Sequence, residues 1–77
     1  MQFQSFFITI TIMKINIWNI RYKKNVTLVE LAKLTNISKS TLDNFEIGRT
    51  IPNMLQMEQI AIALDAHITD LFDSDYK

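Results

Sequence analysis

Two short helix patterns separated by a four-residue break lie between residues 27 and 48, and they constrain the fold more than any other feature. Thr27 and Glu30 have the spacing of a capping box, in which a hydroxyl and a carboxylate satisfy two free backbone amides. A helix is therefore expected to begin at about Leu28. Asn36 is expected to end it, because asparagine adopts the left-handed conformation of a helix terminus more readily than most residues.

The second helix pattern begins after Ser38, whose hydroxyl is a good N-cap. Leu42 and Phe45 form an apolar edge, whereas polar side chains occupy the other positions of the segment. A short helix that is polar on one side suits insertion into a DNA groove. Residues 27–48 therefore predict a helix-turn-helix.

Further helices are expected on both sides of this unit. The pattern predicts a first helix over residues 17–24, which turns its isoleucines inward. After a loop that ends at Pro52, Asn53 is a plausible N-cap for a helix over residues 54–64. That helix has an apolar stripe at the spacing of a core-facing surface.

The C-terminal end is expected to contain a short fifth helix. Thr69 would cap it, and Leu71 and Phe72 would be its apolar residues. Residues 73–77 are acidic and are expected to fray as a tail. The predicted fold is therefore all-α, with a five-helix domain over residues 14–72.

The first thirteen residues depart from the helical pattern. Residues 7–12 alternate between isoleucine and Phe or Thr, and β-branched side chains favour a strand. The segment is too short to span a membrane and has no basic region before its apolar run, so neither an anchor nor a signal peptide is expected. Two interpretations stay open. Residues 1–13 form an N-terminal β-strand extension, or Met13 is the biological start and residues 1–12 extend the reading frame upstream.

The segment from Ile17 to Phe72 resembles the DNA-binding domain of the phage repressor and Cro family, often called XRE-like. The matching residues span most of the chain in one register, and they are Arg21, Leu31, Ala32, Asn36, Ser38 to Leu42, Glu46, Gly48, Pro52, Ala61 and Leu64. Many members have glycine in place of Asn36 and asparagine in place of Ile47. Many also have glutamine in place of Leu28, and this departure removes a side chain that often contacts a phosphate in relatives.

Composition limits the classes of function. The chain has 77 residues, which is enough for one domain and one small core but not for a substrate cavity as well. It has no cysteine and one histidine, His67, which is expected in a solvent-facing loop after the fourth helix. We therefore expect no enzyme activity, cofactor or metal site, and the lack of cysteine is compatible with a reducing cytoplasm.

The net charge is zero, but the charges are unevenly distributed. Residues 1–50 carry seven basic and three acidic side chains, a net charge of +4, whereas residues 51–77 carry one basic and five acidic side chains, a net charge of −4. The positive half contains the helix-turn-helix, as a surface that faces phosphates requires. Lysines that only solvate a helical face would give the same pattern.

The resemblance assigns DNA contacts to the helix that begins after Ser38. The residues at base-reading positions are Lys39, Ser40, Asp43 and Asn44. Lysine can donate to guanine and asparagine can pair with adenine. Asp43 either accepts from cytosine or only repels wrong partners. Phosphate contacts are expected from Ser38, Arg49, Lys23 and Lys33. Solvated polar residues on an exposed helix would look the same.

Arg21 and Glu46 carry opposite charges on helices that pack together in the family. We expect their pair to be structural, with the guanidinium group holding the recognition helix at its angle instead of touching DNA.

A homodimer is expected because the helix over residues 54–64 is apolar on two sides. Leu55 and Ile62 point away from its core stripe, and an antiparallel ribbon of residues 6–15 from two subunits would cover them. The predicted interface consists of Ile8, Ile10, Ile12, Leu55, Ile62, Leu71 and Phe72.

These patterns predict a regulator of transcription, a repressor, that binds a palindromic duplex site as a homodimer. Neither a membrane nor a small-molecule effector is expected as a partner. The alternative is a protein-interaction module with the same fold, such as an antitoxin or a regulatory subunit. The acidic half and the apolar N-terminal strand favour this alternative.

Overall fold

The computed structural model of the protein describes residues 13–77, and within them the chain forms four α-helices and a small sheet. The helices are α1 (Ile17–Lys23), α2 (Leu28–Thr35), α3 (Lys39–Glu46) and α4 (Met54–Leu64). A 3-10 turn (Ile68–Leu71) follows α4, and strands β1 (Met13–Ile15) and β2 (Phe72–Ser74) pair antiparallel. The four helices confirm the sequence predictions for those segments. None of them is long and apolar enough to cross a membrane.

Side chains cap the starts of α2, α3 and α4. The Thr27 hydroxyl accepts from the Glu30 amide at 3.1 Å, and the Glu30 carboxylate accepts from the Thr27 amide at 2.9 Å. Asn53 and Gln56 form the same reciprocal pair at the start of α4. The Ser38 hydroxyl accepts from the amide of Thr41 in α3. These three helices therefore begin at residues that their local sequences specify.

The turn between α2 and α3 depends on Asn36 and Thr35. Asn36 has the left-handed conformation, with φ at 61°, and its amide donates to Ala32. The buried Thr35 hydroxyl donates to the Leu31 carbonyl at 2.7 Å and accepts from the Ile37 amide at 3.2 Å. These bonds satisfy the backbone at the end of α2, and α3 packs against α2 directly after the turn.

One apolar core joins the four helices and the 3-10 turn. Nine apolar side chains of the described residues are buried, and they are Ile17, Leu31, Leu42, Phe45, Met57, Ile60, Ala61, Leu64 and Leu71. The predicted stripe of α4 supplies four of them. By contrast, α3 buries only Leu42 and Phe45. Lys39, Ser40 and Asp43 are exposed, so one side of α3 is available for contacts outside the chain.

The predicted fifth helix is wrong. Residues Ile68–Leu71 form a 3-10 turn that begins after His67, not after Thr69, and Phe72 continues into β2. Strand β1 pairs with β2, so that Ile15 lies opposite Phe72 and Met13 lies opposite Ser74. The strand pairing satisfies backbone groups of residues 13–15 and 72–74. A short isolated helix near residue 70 would leave the backbone groups of residues 13–15 without these partners.

The prediction of a frayed tail is also wrong for its first residues. Asp73 lies in β2, and its carboxylate accepts from the side-chain amide of Asn16 at 2.9 Å. This hydrogen bond lowers the pKa of Asp73. The Lys77 ammonium group donates to the carbonyls of Thr69 and Phe72, at 2.9 Å each. The C-terminal residues are thus tied back onto the domain.

The predicted N-terminal strand and dimer ribbon fall only partly within the described residues. Met13–Ile15 is extended as expected, but its partner is β2 of the same chain, which corrects the prediction that these residues join a ribbon between subunits. Intrachain pairing uses the hydrogen bonds that the ribbon would need along that edge. Residues 1–12, with the predicted interface positions Ile8, Ile10 and Ile12, lie outside the described part of the chain.

Candidate nucleic-acid interface

The side of α3 that faces away from the core is polar. A helix turns about 100° per residue, which places Ser40, Asp43 and Asn44 opposite the buried Leu42 and Phe45. Ser40 and Asp43 are exposed, and Asn44 is half-buried. Lys39 is exposed beside them, at the first residue of the helix. All four residues with predicted base-reading roles therefore lie outside the core.

Ser38 caps α3 and uses its hydroxyl within the chain. The oxygen accepts from the Thr41 amide at 3.1 Å, and the hydroxyl group donates to the Thr41 hydroxyl at 2.8 Å. To donate to a phosphate, the Ser38 hydroxyl would have to give up its hydrogen bond to the Thr41 hydroxyl. The backbone amides of Lys39 and Ser40 have no acceptor among the described residues and lie at the positive end of the helix dipole, so they are better placed than the Ser38 hydroxyl to donate to a phosphate.

Arg21 and Glu46 form a two-pronged pair between α1 and the end of α3. Arg21 Nε donates to Glu46 Oε2 at 2.8 Å, and Nη2 donates to Oε1 at 3.1 Å. Arg21 Nη1 donates to the Val26 carbonyl at 3.0 Å. The two side chains are only 13% and 7% exposed, and their hydrogen bonds raise the pKa of Arg21. The guanidinium group is therefore engaged on all three nitrogens, in the structural position that the sequence suggests.

The loop after α3 is bonded back to that helix. Gly48 has φ at 81°, a conformation that strains any residue with a Cβ atom. The amides of Arg49 and Thr50 then donate to the Asn44 carbonyl, at 2.9 and 3.3 Å. The exposed Arg49 is thereby held beside the polar face of α3. Asn44 takes part in this loop through its backbone, and its side chain forms no hydrogen bond with any other residue of 13–77.

The other basic residues with predicted phosphate roles lie on separate helices. Lys23 is the last residue of α1, and Lys33 lies in the second half of α2. Both are exposed, and within residues 13–77 neither forms an ion pair. Lys24, by contrast, donates to the Asp65 carbonyl at 3.2 Å. Lys23 and Lys33 are therefore available for phosphate contacts, whereas Lys24 stabilises the fold.

A shallow concavity connects the start of α2 with the polar face of α3. Leu28, Lys39, Ser40 and Asp43 line it. In the sequence, Leu28 is notable only as a departure from the glutamine that many proteins of the resembling family have there, and no role follows for the leucine itself. The structure shows that the starts of α2 and α3 lie side by side, which brings Leu28 next to the polar face of α3. Leu28 therefore joins the candidate interface with a role that sequence analysis did not predict.

The predicted dimer residues have different positions in the structure. Leu55 and Ile62 are exposed on α4, by 63% and 74% respectively. Phe72 is half-buried in β2 and packs against the core. Leu71, in contrast, is fully buried in the core of the single chain, which leaves no part of it for a dimer contact.

His67 lies outside these features. It is exposed between α4 and the 3-10 turn, and its amide donates to the Asp70 carboxylate at 3.0 Å. No group of three or more His, Cys, Asp or Glu side chains in the described residues is placed to hold a metal ion.

Comparison with known proteins gives one result that covers most of the chain. Residues 19–71 match a family model described as helix-turn-helix. The match extends from α1 to the end of the 3-10 turn and therefore includes the helices that form the candidate interface. No curated protein sequence gives a significant match.

Proposed function

The chain belongs to the XRE-like helix-turn-helix family of DNA-binding regulators, and on this premise we propose that it binds a specific duplex sequence and represses transcription there. In this proposal α3 enters the major groove with its polar face toward the base edges. The observation that carries the proposal is that α3 has one apolar side and one polar side. Two of its side chains are buried in the core, and four with base-reading chemistry lie outside it.

Each of these four side chains has a definite role in the proposal. Lys39 donates to guanine, Asn44 pairs with adenine through its amide, and Asp43 accepts from the amine of cytosine or adenine. Ser40 donates or accepts according to the base. The Arg21–Glu46 pair sets the angle between α3 and α1 and does not itself touch DNA.

Phosphate contacts hold the protein in register along the duplex. Arg49 follows α3, while Lys23 and Lys33 lie on α1 and α2, so that cations from three elements can face the phosphates. Each neutralised phosphate releases counterions, which makes the affinity fall as the salt concentration rises. Ser38 takes part through the backbone at the start of α3 while its hydroxyl caps the helix.

The proposal includes a homodimer in the cytoplasm and a palindromic site. Leu55 and Ile62 support it, because two large apolar side chains on one face of α4 remain exposed. A second copy that covers this face would make a two-fold assembly. It would present two α3 helices about 34 Å apart to successive major grooves.

Selection from a randomised duplex library tests the proposal. We expect enrichment of an inverted repeat, and mobility-shift assays should then show at least about 1,000-fold tighter binding to it than to random DNA. Equal affinity for selected and random duplexes would contradict sequence-specific binding. Loss of binding as salt is raised checks the phosphate contacts separately.

A second candidate function is a protein-interaction module, such as an antitoxin or a regulatory subunit. A concavity beside β1 favours it, because apolar side chains line it, among them Phe45, Ile47 and Ile51. Ile47 and Ile51 are 60% and 72% exposed. If selection enriches no sequence and Ile51→Asp abolishes binding to a purified partner, the module is the better description.

A further inference from the structure

Leu28 is the first residue of α2, yet its side chain borders the polar face of α3. Three polar residues of α3, Lys39, Ser40 and Asp43, line the same shallow concavity. Leu28 is half-buried and packs partly against the core, and the rest of its side chain faces the concavity. It is the one apolar member among the four lining residues.

Local hydrogen bonds hold the two helix starts that meet at this concavity. The reciprocal bonds of Thr27 and Glu30 define the first turn of α2, where Leu28 lies. The cap from Ser38 to Thr41 defines the first turn of α3, where Lys39 and Ser40 lie. The connection between the helices is short and bonded at Thr35. Leu28 is thus held beside the polar residues before any ligand binds.

The chemistry of the concavity matches one edge of a base pair. In the major groove, a thymine paired with adenine presents a C5 methyl group and the O4 acceptor, and the adenine presents its N6 amine and N7. The methyl groups of Leu28 suit the C5 methyl, the Asp43 carboxylate suits the amine, and the Lys39 ammonium suits an acceptor. The C5 methyl is the apolar feature of the major-groove edges, so an apolar residue at this place selects for it.

We propose that Leu28 and the start of α3 form a subsite that recognises the 5-methyl group of a pyrimidine. This inference rests on the proposed function, since the pyrimidine lies in the duplex that α3 enters. Thymine and 5-methylcytosine present the same methyl group in the major groove. Leu28 is therefore a residue of the DNA interface that determines specificity, although it lies outside the recognition helix.

The test begins with the duplex that selection enriches and uses the full chain. Each thymine is replaced in turn by deoxyuridine, and each cytosine by 5-methylcytosine, and the dissociation constant is measured by fluorescence anisotropy. Loss of one buried methyl group corresponds to about a fourfold weaker affinity, from ~0.8 kcal/mol per group. We expect that loss at one thymine of each half-site. If instead the affinity rises about fourfold on methylation of one cytosine, the natural source is 5-methylcytosine.

Variants of two leucines in α2 assign the effect to Leu28. In Leu28→Ala, the ratio of affinities for methylated and unmethylated duplexes should fall to about one. Leu34→Ala is the matched control, because Leu34 is 62% exposed in the same helix and does not line the concavity, and it should keep the fourfold ratio. Since Leu28 also packs on the core, Leu28→Gln provides a second variant of similar length without the methyl groups. Thermal melts verify that the variants fold.

Three outcomes separate this inference from the function on which it rests. If no methyl substitution changes the dissociation constant of the wild type, the inference is overturned and the proposed DNA binding stands. A folded Leu28→Ala or Leu28→Gln protein that keeps the fourfold ratio would overturn it as well. Failure to enrich any sequence would overturn the proposed function, and the methyl subsite with it.

Discussion

Replacement of Arg21 by alanine should destabilise the domain strongly. The change removes two hydrogen bonds to Glu46 and one to the Val26 carbonyl, and it leaves the Glu46 carboxylate, 7% exposed, without its cation. Removal of one partner from a buried ion pair costs about 3–5 kcal/mol. The residual exposure of both side chains favours the lower end. For a domain of this size, about 3 kcal/mol corresponds to a fall in Tm of roughly 12–24 °C.

Urea denaturation followed by tryptophan fluorescence measures this effect. Trp18 is the one tryptophan of the chain and stacks on Tyr22 with ring centroids 5.2 Å apart, so its emission should report the loss of α1 packing. Lys23→Ala is the matched control, because it removes an exposed cation from the same helix and should change stability by less than about 0.5 kcal/mol.

A double replacement separates the cost of a stranded charge from the value of the pair. In Arg21→Met with Glu46→Leu no charge remains buried, so the double variant should be more stable than Arg21→Ala. If Arg21→Ala melts like the wild type but binds DNA weakly, the argument fails. Arg21 would then be a phosphate contact, and its pair with Glu46 would contribute little to stability.

Three further predictions concern readout, pH and assembly. Asn44→Ala should weaken binding to the selected site by about 1–3 kcal/mol and reduce discrimination at one base position. Arg49→Ala should instead weaken binding to all sequences alike and reduce the slope of log affinity against log salt concentration by about one. Equal losses of affinity on selected and random DNA for Asn44→Ala would contradict its role. Hydrogen bonds from Thr27 lower the pKa of Glu30, so its contribution to stability is complete above the ordinary value of 4.5 and is lost as the pH falls through the lowered pKa. Glu30→Gln should lack this dependence, and parallel stability curves for the two proteins between pH 3 and 7 would refute it. Leu55→Asp with Ile62→Asp should convert dimers to monomers in sedimentation experiments, because both exposed side chains lie on the α4 face that a second copy would cover. A double variant that stays dimeric with unchanged affinity would exclude this face as the interface.

The four helices could be predicted because their start signals are local. Thr27 with Glu30, and Asn53 with Gln56, are three residues apart, and the bonds that these spacings suggest are present. Asn36 ends α2 in the left-handed conformation that its residue type favours. A signal within one helical turn needs no knowledge of the rest of the fold.

The C-terminal segment could not be predicted in the same way. The pairing of Ile15 with Phe72 joins residues that are far apart in the sequence, and the three residues of β2 have no strand pattern of their own. Local preference favoured a helix that includes Phe72, but the helical turn ends at Leu71 and Phe72 pairs with Ile15 of β1. Leu71 shows the consequence, because in this arrangement its side chain enters the core instead of a surface.

The part of the candidate site that lies within α3 could be predicted from the sequence. The polar face of α3 follows from the spacing of Leu42 and Phe45. Which residue of α2 lies beside that face depends on how two helices cross, and the spacing within either helix does not contain that information. That Leu28 borders the polar face of α3 was therefore found only in the structure.

Helix α3 is held at both ends, and under the proposed function this has a consequence for specificity. At its start, the Ser38 cap joins α3 to a short turn that is bonded at Thr35. At its end, Glu46 is bound by Arg21, and the loop after Gly48 returns to the Asn44 carbonyl. Between these anchors lies a helix of eight residues, about 12 Å long, which is too short to bend appreciably. Substitutions at its exposed middle should therefore change which bases are preferred with little effect on folding, whereas substitutions at either anchor should reduce stability and binding together.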